Sequence, residues 1–208
     1  MRFFLRAGSR AAIFIILGLY CAASALAHFN LNLNVRIIHV EHVADGLLVY
    51  LRTPMPYLVA DKTGPVGADG LPKPAPFTTN RLEDGRIVHL VDAEALRAEA
   101  LGLGRIAADG LRLRTGGRDV EPGLVALRAY PIGQEPGFAT LDEARAALGG
   151  GSLFPVGTPE TYVGDTVIDV LLKYRSPDSI SEYEISSQLD PGQKGQEETA
   201  NLILDHGP

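Results

Sequence analysis

The chain contains very little cysteine. Its only cysteine among 208 residues is Cys21, so residues 28–208 contain no thiol. This excludes a disulfide and a thiolate nucleophile from that part of the chain, whose stability must come from its apolar core. Tryptophan is absent as well, and the sequence shows no cluster of aromatic residues for stacking on a ligand.

Positive charge is also scarce outside the first 27 residues. Residues 28–208 carry 16 basic and 25 acidic side chains, a formal charge of −9, compared with −6 for the whole chain. An acidic surface repels phosphate backbones and anionic lipid headgroups. We therefore expect no nucleic acid among the partners and no electrostatic docking onto a membrane, whereas cations would be tolerated or attracted.

The only long apolar run is at the N-terminus. The N-terminal segment contains three arginines, Arg2, Arg6 and Arg10. They are followed by an apolar stretch at 11–20 and by the small residues Ala25 and Ala27. This order predicts a secretory signal peptide over residues 1–27 that is cut after Ala27, leaving 28–208 as an exported domain on the periplasmic, extracytoplasmic side of the inner membrane. The alternative is an uncleaved membrane anchor, because the segment is near the lower length limit for a membrane helix.

Alternation of apolar and polar residues predicts a mainly β domain. From Phe29 to Ile37 every second residue is apolar, which is typical of a half-buried strand. Asp-Gly pairs at 45–46, 84–85 and 109–110 predict tight turns before the next strands. The predicted strands are 29–37, 47–53, 86–90, 111–114, 123–130, 162–174 and 200–205. Short strands separated by such turns favour an antiparallel β-sandwich-like fold, with an α+β arrangement as the alternative.

Two short helices are predicted within this β framework. Asp92 is a suitable N-cap for a helix that ends at Gly102. Thr140 and Glu143 have the spacing of a capping box, so a second helix is expected from there to Gly149.

Familiar catalytic motifs are missing. The nucleophile elbow G-x-S-x-G and the zinc-protease motif H-E-x-x-H do not occur. Gly102, Gly104 and Ala107 match the relaxed dinucleotide pattern, but that site needs a strand before the glycines and a helix after them, and here the predicted order is reversed. We therefore expect no enzyme activity, and a secreted hydrolase with a carboxylate site among the acidic residues is kept as an alternative.

Histidines are the candidate metal ligands. After cleavage His28 would be the N-terminus, and its amine and imidazole together form a compact chelate for nickel or copper. His39 is close to His42 in sequence, but on a strand continued from Phe29 their side chains point to opposite faces. The candidates are therefore His28 and His39, and the alternative is that the histidines are solvated or satisfied within the core. No other cofactor is predicted.

Five segments resemble one family of bacterial membrane proteins. They are HFNLNLNVRIIHVEH at 28–42, GLLVYLRTPMPYLVAD at 46–61, PFTTNRLEDGRIVHL at 76–90, TYVGDTVIDVLLKY at 161–174 and LDPGQKGQEETANLILDH at 189–206. The segments are similar to the exported N-terminal region of HupE/UreJ-type proteins, which are named after hydrogenase and urease accessory proteins. The resemblance implies a β-rich extracytoplasmic module, followed by a membrane region whose helices are linked to transport of nickel or related metals.

This resemblance sets the expected function and its alternatives. We expect a binding or assembly module whose partner is a divalent metal, its own membrane region or another membrane protein. The resemblance also implies that the chain stops before that membrane region, so no transport residue carries over. A free-standing periplasmic binding module is the alternative. The sequence does not indicate the oligomeric state.

Overall fold

The computed structural model describes residues 35–99, 101–150, 154, 156–177, 180–189 and 200–207. The predicted signal peptide, His28 and the first part of the predicted strand 29–37 lie outside these residues. The strands are β1 (Val35–Val43), β2 (Gly46–Pro54), β3 (Thr78–Glu83), β4 (Arg86–Val91), β5 (Leu111–Thr115), β6 (Arg118–Val120), β7 (Pro122–Pro131), β8 (Thr166–Arg175), β9 (Glu184–Ser187) and β10 (Ala200–His206). The helices are α1 (Pro56–Val59), α2 (Ala93–Ala98), α3 (Gly102–Gly110) and α4 (Leu141–Gly149), with 3₁₀ turns at Ala60–Lys62 and Val163–Asp165.

The strands form one main sheet and two small ones. The main sheet has five strands in the order β10-β1-β2-β8-β7, while β3 pairs with β4 and β6-β5-β9 form a third sheet. Every pairing is antiparallel except that of β10 with β1, which is parallel. The prediction of a mainly β domain with short helices is confirmed.

Both faces of the main sheet are covered. On β2, the side chains of Leu47, Val49 and Leu51 are fully buried in the main core, which includes residues of α1 and α3. The alternate side chains point to the other face, where Tyr50 packs in a second cluster with Phe138 and residues of α4. Period-two alternation of a strand thus supplies side chains to two separate apolar clusters, and their removal from water is the main stabilising contribution.

The two predicted helices are present. The Asp92 side chain accepts a hydrogen bond from Ala95 N at 2.9 Å and caps α2, which ends at Ala98. Thr140 and Glu143 form the expected reciprocal capping box at the start of α4. The helices α1 and α3 are additional to the two predicted from sequence.

The prediction of a turn at Asp109-Gly110 is wrong, because these residues are the end of α3. Gly102 likewise begins this helix instead of merely ending the previous one. An ideal Cβ on Gly104 would lie 2.6 Å from Leu124 Cδ2, so this glycine allows α3 to pack closely against β7. Gly102 and Gly104 therefore lie inside a helix and not in a phosphate-binding turn between strand and helix, in agreement with the rejection of the dinucleotide pattern.

The other two predicted turns are present, and one of them is shifted by one residue. Asp84 and Gly85 have φ of +48° and +76° and form the two-residue turn between β3 and β4, as predicted. In the first hairpin the turn is Ala44 and Asp45, and Gly46 is already paired with Val43. Gly46 is required there because its φ is +132° and because β8 passes very close to its Cα.

Candidate functional site

The polar side chains of β1 meet those of β10 on both faces of the sheet. The parallel register places Glu41 beside His206 and Val40 beside Asp205. Because adjacent residues of a strand point to opposite faces, Asp205 and His206 reach different sides of β1. The last residues of β10 thus contact a histidine on each face.

On the α4 side, His39 and His206 form a hydrogen-bonded pair. His39 is fully buried, and its Nε2 lies 2.9 Å from the backbone oxygen of Phe138. Since a carbonyl oxygen can only accept, Nε2 carries the proton in this bond and Nδ1 is left as an acceptor in the neutral ring. His206 Nε2, 2.9 Å from His39 Nδ1, is therefore assigned as the donor. Both ring nitrogens of His39 are thus engaged by the protein.

Glu41 completes the polar group on this face. Its carboxylate accepts hydrogen bonds from Tyr50 Oη at 2.8 Å and from an Arg145 guanidinium nitrogen at 2.6 Å. Burial by itself raises the pKa of Glu41, but the hydrogen bonds from Arg145 and Tyr50 outweigh it and hold the pKa below its usual value. Burial, together with the bond to Glu41, raises the pKa of Tyr50 to about 12. The contact with Arg145 connects β1 to helix α4.

On the opposite face, Asp205 lies between His42 and Tyr183. His42 Nε2 is 3.1 Å from Asp205 Oδ1, an ion-pair separation without hydrogen-bond geometry. The Tyr183 hydroxyl donates to the other carboxylate oxygen of Asp205. Burial, followed by this hydrogen bond, raises the pKa of Tyr183 well above its usual value. The segment before β9 is therefore attached to the same edge of the sheet.

Arg36 makes a third connection to the C-terminal part of the domain. Its side chain donates to Asn201 Oδ1 at 2.9 Å, to Ser187 Oγ at 2.5 Å and to the Leu189 backbone oxygen at 3.1 Å. The guanidinium also lies 5.2 Å from the centroid of the Tyr57 ring. Hydrogen bonds to a charged group in a buried position are among the stronger ones in proteins, so Arg36 fixes β10 and β9 to β1.

A second buried ionic group lies further across the α4 face. Arg52 binds Asp169 with two hydrogen bonds of 2.7 Å, donates to the Pro136 backbone oxygen at 2.8 Å, and stacks 4.3 Å from the centre of the Phe138 ring. Burial raises the pKa of Asp169, and Arg52 opposes that rise. The charge of the neighbouring Glu135 also raises the pKa of Asp169. Oε2 of Glu135 is buried without a hydrogen-bond partner. Arg52 and His39 together hold the segment 136–138 over the sheet.

The structure shows where the described histidines among the candidate metal ligands lie. His28 lies outside the described residues. His39 and His42 point to opposite faces as predicted, and the partner of His39 is His206, which the sequence did not single out. Within the described part of the chain, no group of three or more histidine, cysteine, aspartate or glutamate side chains is arranged to hold a metal ion.

Replacing His39 by phenylalanine should destabilise the domain by about 1–3 kcal/mol, because the Phe138 carbonyl and His206 would lose a buried hydrogen-bond partner. Urea unfolding followed by circular dichroism measures this loss. His89→Phe is the matched control, since His89 is exposed on β4, and it should change the free energy of unfolding by less than about 0.5 kcal/mol. Equal effects of both substitutions would contradict a structural role for the His39 contacts.

Among the described residues, no helix is long and apolar enough to span a membrane. Comparison with known proteins gives no relative, since no family model, no curated protein and no solved structure matches this chain.

Proposed function

We propose that this chain is an extracytoplasmic binding and assembly module of a HupE/UreJ-like membrane protein. In this proposal the signal peptide directs the module across the inner membrane, and its partner is the membrane region that the resemblance places after it. A divalent metal, nickel or copper, is the proposed cargo of the complete protein.

What supports this proposal is the spatial arrangement of the resembling segments. The segments 28–42, 46–61, 161–174 and 189–206 include all of β2 and β10 and all but the last residue of β1 and β8, which are adjacent strands of the main sheet. Segments that are far apart in the sequence thus belong to one folded unit.

The chemistry of the buried ionisable groups supports binding or assembly in preference to catalysis. Asp169 uses both carboxylate oxygens to bind Arg52, and Glu41 is engaged by Tyr50 and Arg145. These side chains stabilise contacts between elements of the same domain. A scaffold stiffened in this way is suited to presenting its surface to a partner at low entropic cost.

The place of the module in a longer protein is tested by the gene sequence beyond the codon for Pro208. We expect it to continue into hydrophobic segments of at least about 18 residues, the length that spans a membrane. A stop codon directly after Pro208 would contradict the proposal and favour a free-standing periplasmic module.

Metal binding is tested by titrating the exported protein with nickel and with copper. If His28 is the mature N-terminus, its amine and imidazole form a chelate, and a methionine placed before His28 should weaken binding about tenfold or more. His89→Ala, on the exposed part of β4, is the control and should leave the affinity unchanged. Unchanged affinity with the added methionine would exclude the N-terminal chelate.

A further inference from the structure

The two edges of the main sheet differ in how well they resist pairing with another strand. Strand β7, at one edge, has proline at both ends, Pro122 and Pro131, and its register with β8 shifts between Leu124 and Ala126. Proline lacks the N–H that a neighbouring strand would bind, and a bulge interrupts a continuous ladder. These are features by which proteins protect an edge strand.

Strand β10, at the other edge, has neither feature. Its seven residues contain no proline and pair with β1 in an unbroken register from Val35/Ala200 to Glu41/His206. Among the described residues no strand pairs with its outer side. Leu202 and Ile203 are each 48% exposed and point to opposite faces, so apolar surface is available on both sides of this edge.

The backbone of β10 is held in place from within the domain. Asn201 accepts a hydrogen bond from Arg36, His206 bonds to His39, and Asp205 is engaged by Tyr183. An edge strand fixed in this way loses little conformational entropy when another strand pairs with it. Within the described part of the chain, helix α4 packs mainly over β1, β7 and β8 and does not cover β10.

We propose that two copies of this chain associate through β10, with the two β10 strands pairing antiparallel around a two-fold axis at Ile203. The sequence ANLILDH is self-complementary in this register. Ile203 faces Ile203 of the second copy, and Leu202 faces its Leu204. Asn201 faces Asp205 of the second copy, and Ala200 faces its His206.

In this register the apolar side chains of β10 and its charged side chain all face suitable partners. Every apolar residue from 202 to 204 meets an apolar residue, and the only acid of β10, Asp205, meets an amide instead of a second carboxylate. Moving the two-fold axis to Leu204 would place Asp205 opposite Ile203. Because the interface is isologous and β7 is protected, association stops at a closed dimer with one sheet continuous through both copies. The dimer does not depend on the proposed family.

Sedimentation velocity of the chain produced with its own N-terminal segment, over a wide concentration range, measures the association. We expect a monomer–dimer equilibrium. Ile203→Lys places two like charges directly opposite each other at the axis, so the dissociation constant should rise about tenfold or more. Ile203→Glu should have the same effect, and a mixture of the two variants should associate again, because lysine then faces glutamate. Val125→Lys on β7, where Val125 is 52% exposed, is the control and should leave the dimer intact.

Cysteine cross-linking tests the register in a Cys21→Ser background. Ile203→Cys should form an intermolecular disulfide on oxidation, since its Cβ atoms would be about 4.5–5.5 Å apart across the pair. Leu202→Cys should not, because Leu202 faces Leu204 of the second copy. A wild-type chain that stays monomeric at all concentrations, or a mixture of the lysine and glutamate variants that fails to associate, would overturn the proposal.

Discussion

Replacing Asp169 with asparagine should lower the free energy of unfolding by about 3–5 kcal/mol, one of the largest effects expected for a single substitution in this domain. The Asp169 side chain is fully buried and that of Arg52 is 13% exposed. The substitution removes the negative charge but leaves the guanidinium in a poorly solvated position. An uncompensated buried charge is costly, which is why breaking one partner of such a pair is more harmful than replacing both. Urea unfolding at neutral pH measures the loss.

Two further variants separate the buried charge from other causes. Asp61→Asn breaks the exposed pair with Lys62 and should cost no more than about 1 kcal/mol. The double variant Arg52→Met with Asp169→Leu replaces both charges by apolar side chains and should recover most of the stability lost by Asp169→Asn. If the double variant is as unstable as the single one, the unpaired arginine is not the cause.

The sequence predicts those parts of the fold that depend on neighbouring residues. The turn at Asp84-Gly85 and the capping box at Thr140 are correct because each is determined by side chains within three or four positions. The turn expected at Asp109-Gly110 fails for a tertiary reason. Gly104 permits close packing of α3 on β7, and that contact stabilises a helix where the local pattern indicated a break.

The candidate site depends on contacts between distant residues. Strand β10 was predicted, but its parallel pairing with β1 joins residues that no hairpin connects, such as His39 and His206, which are 167 positions apart. A sequence signal did exist, since in each strand a histidine follows a run of large apolar residues, directly in β1 and after Asp205 in β10. Nothing in that pattern, however, states that the two strands are neighbours or in which direction they run.

The burial of charged side chains is the second feature that the sequence does not indicate. Antiparallel sheets commonly have one solvated face, so an arginine on a strand such as β2 does not by itself indicate burial. Helix α4 and the segment 136–138 cover the face of the sheet on which Arg52 lies, so Arg52 and Tyr50 are enclosed and require partners from β8 and β1. The identity of those partners follows from strand register, which sequence alternation does not determine.

Gly46→Ala is the second substitution expected to have a large effect. Gly46 has φ of +132°, a conformation that residues with a side chain rarely adopt, and an ideal Cβ would lie only 1.9 Å from the Tyr174 backbone oxygen. Backbone strain of this kind costs about 1–3 kcal/mol, and the overlap with β8 adds to it. We therefore expect a loss of at least about 3 kcal/mol in urea unfolding, because β2 and β8 must separate to admit the methyl group.

Gly85→Ala is the comparison for a glycine that has positive φ but no close neighbour. Gly85 also has positive φ, +76°, but no atom lies within 4 Å of its ideal Cβ position. Its replacement should therefore cost only about 1–2 kcal/mol, the penalty of a left-handed conformation for a residue with a Cβ. We expect the larger loss for Gly46→Ala for two reasons, the overlap with β8 and a φ of +132°, which is less accessible to alanine than the +76° of Gly85. Equal losses would show that the positive φ alone accounts for the glycine at position 46, and that β8 can move aside at little cost.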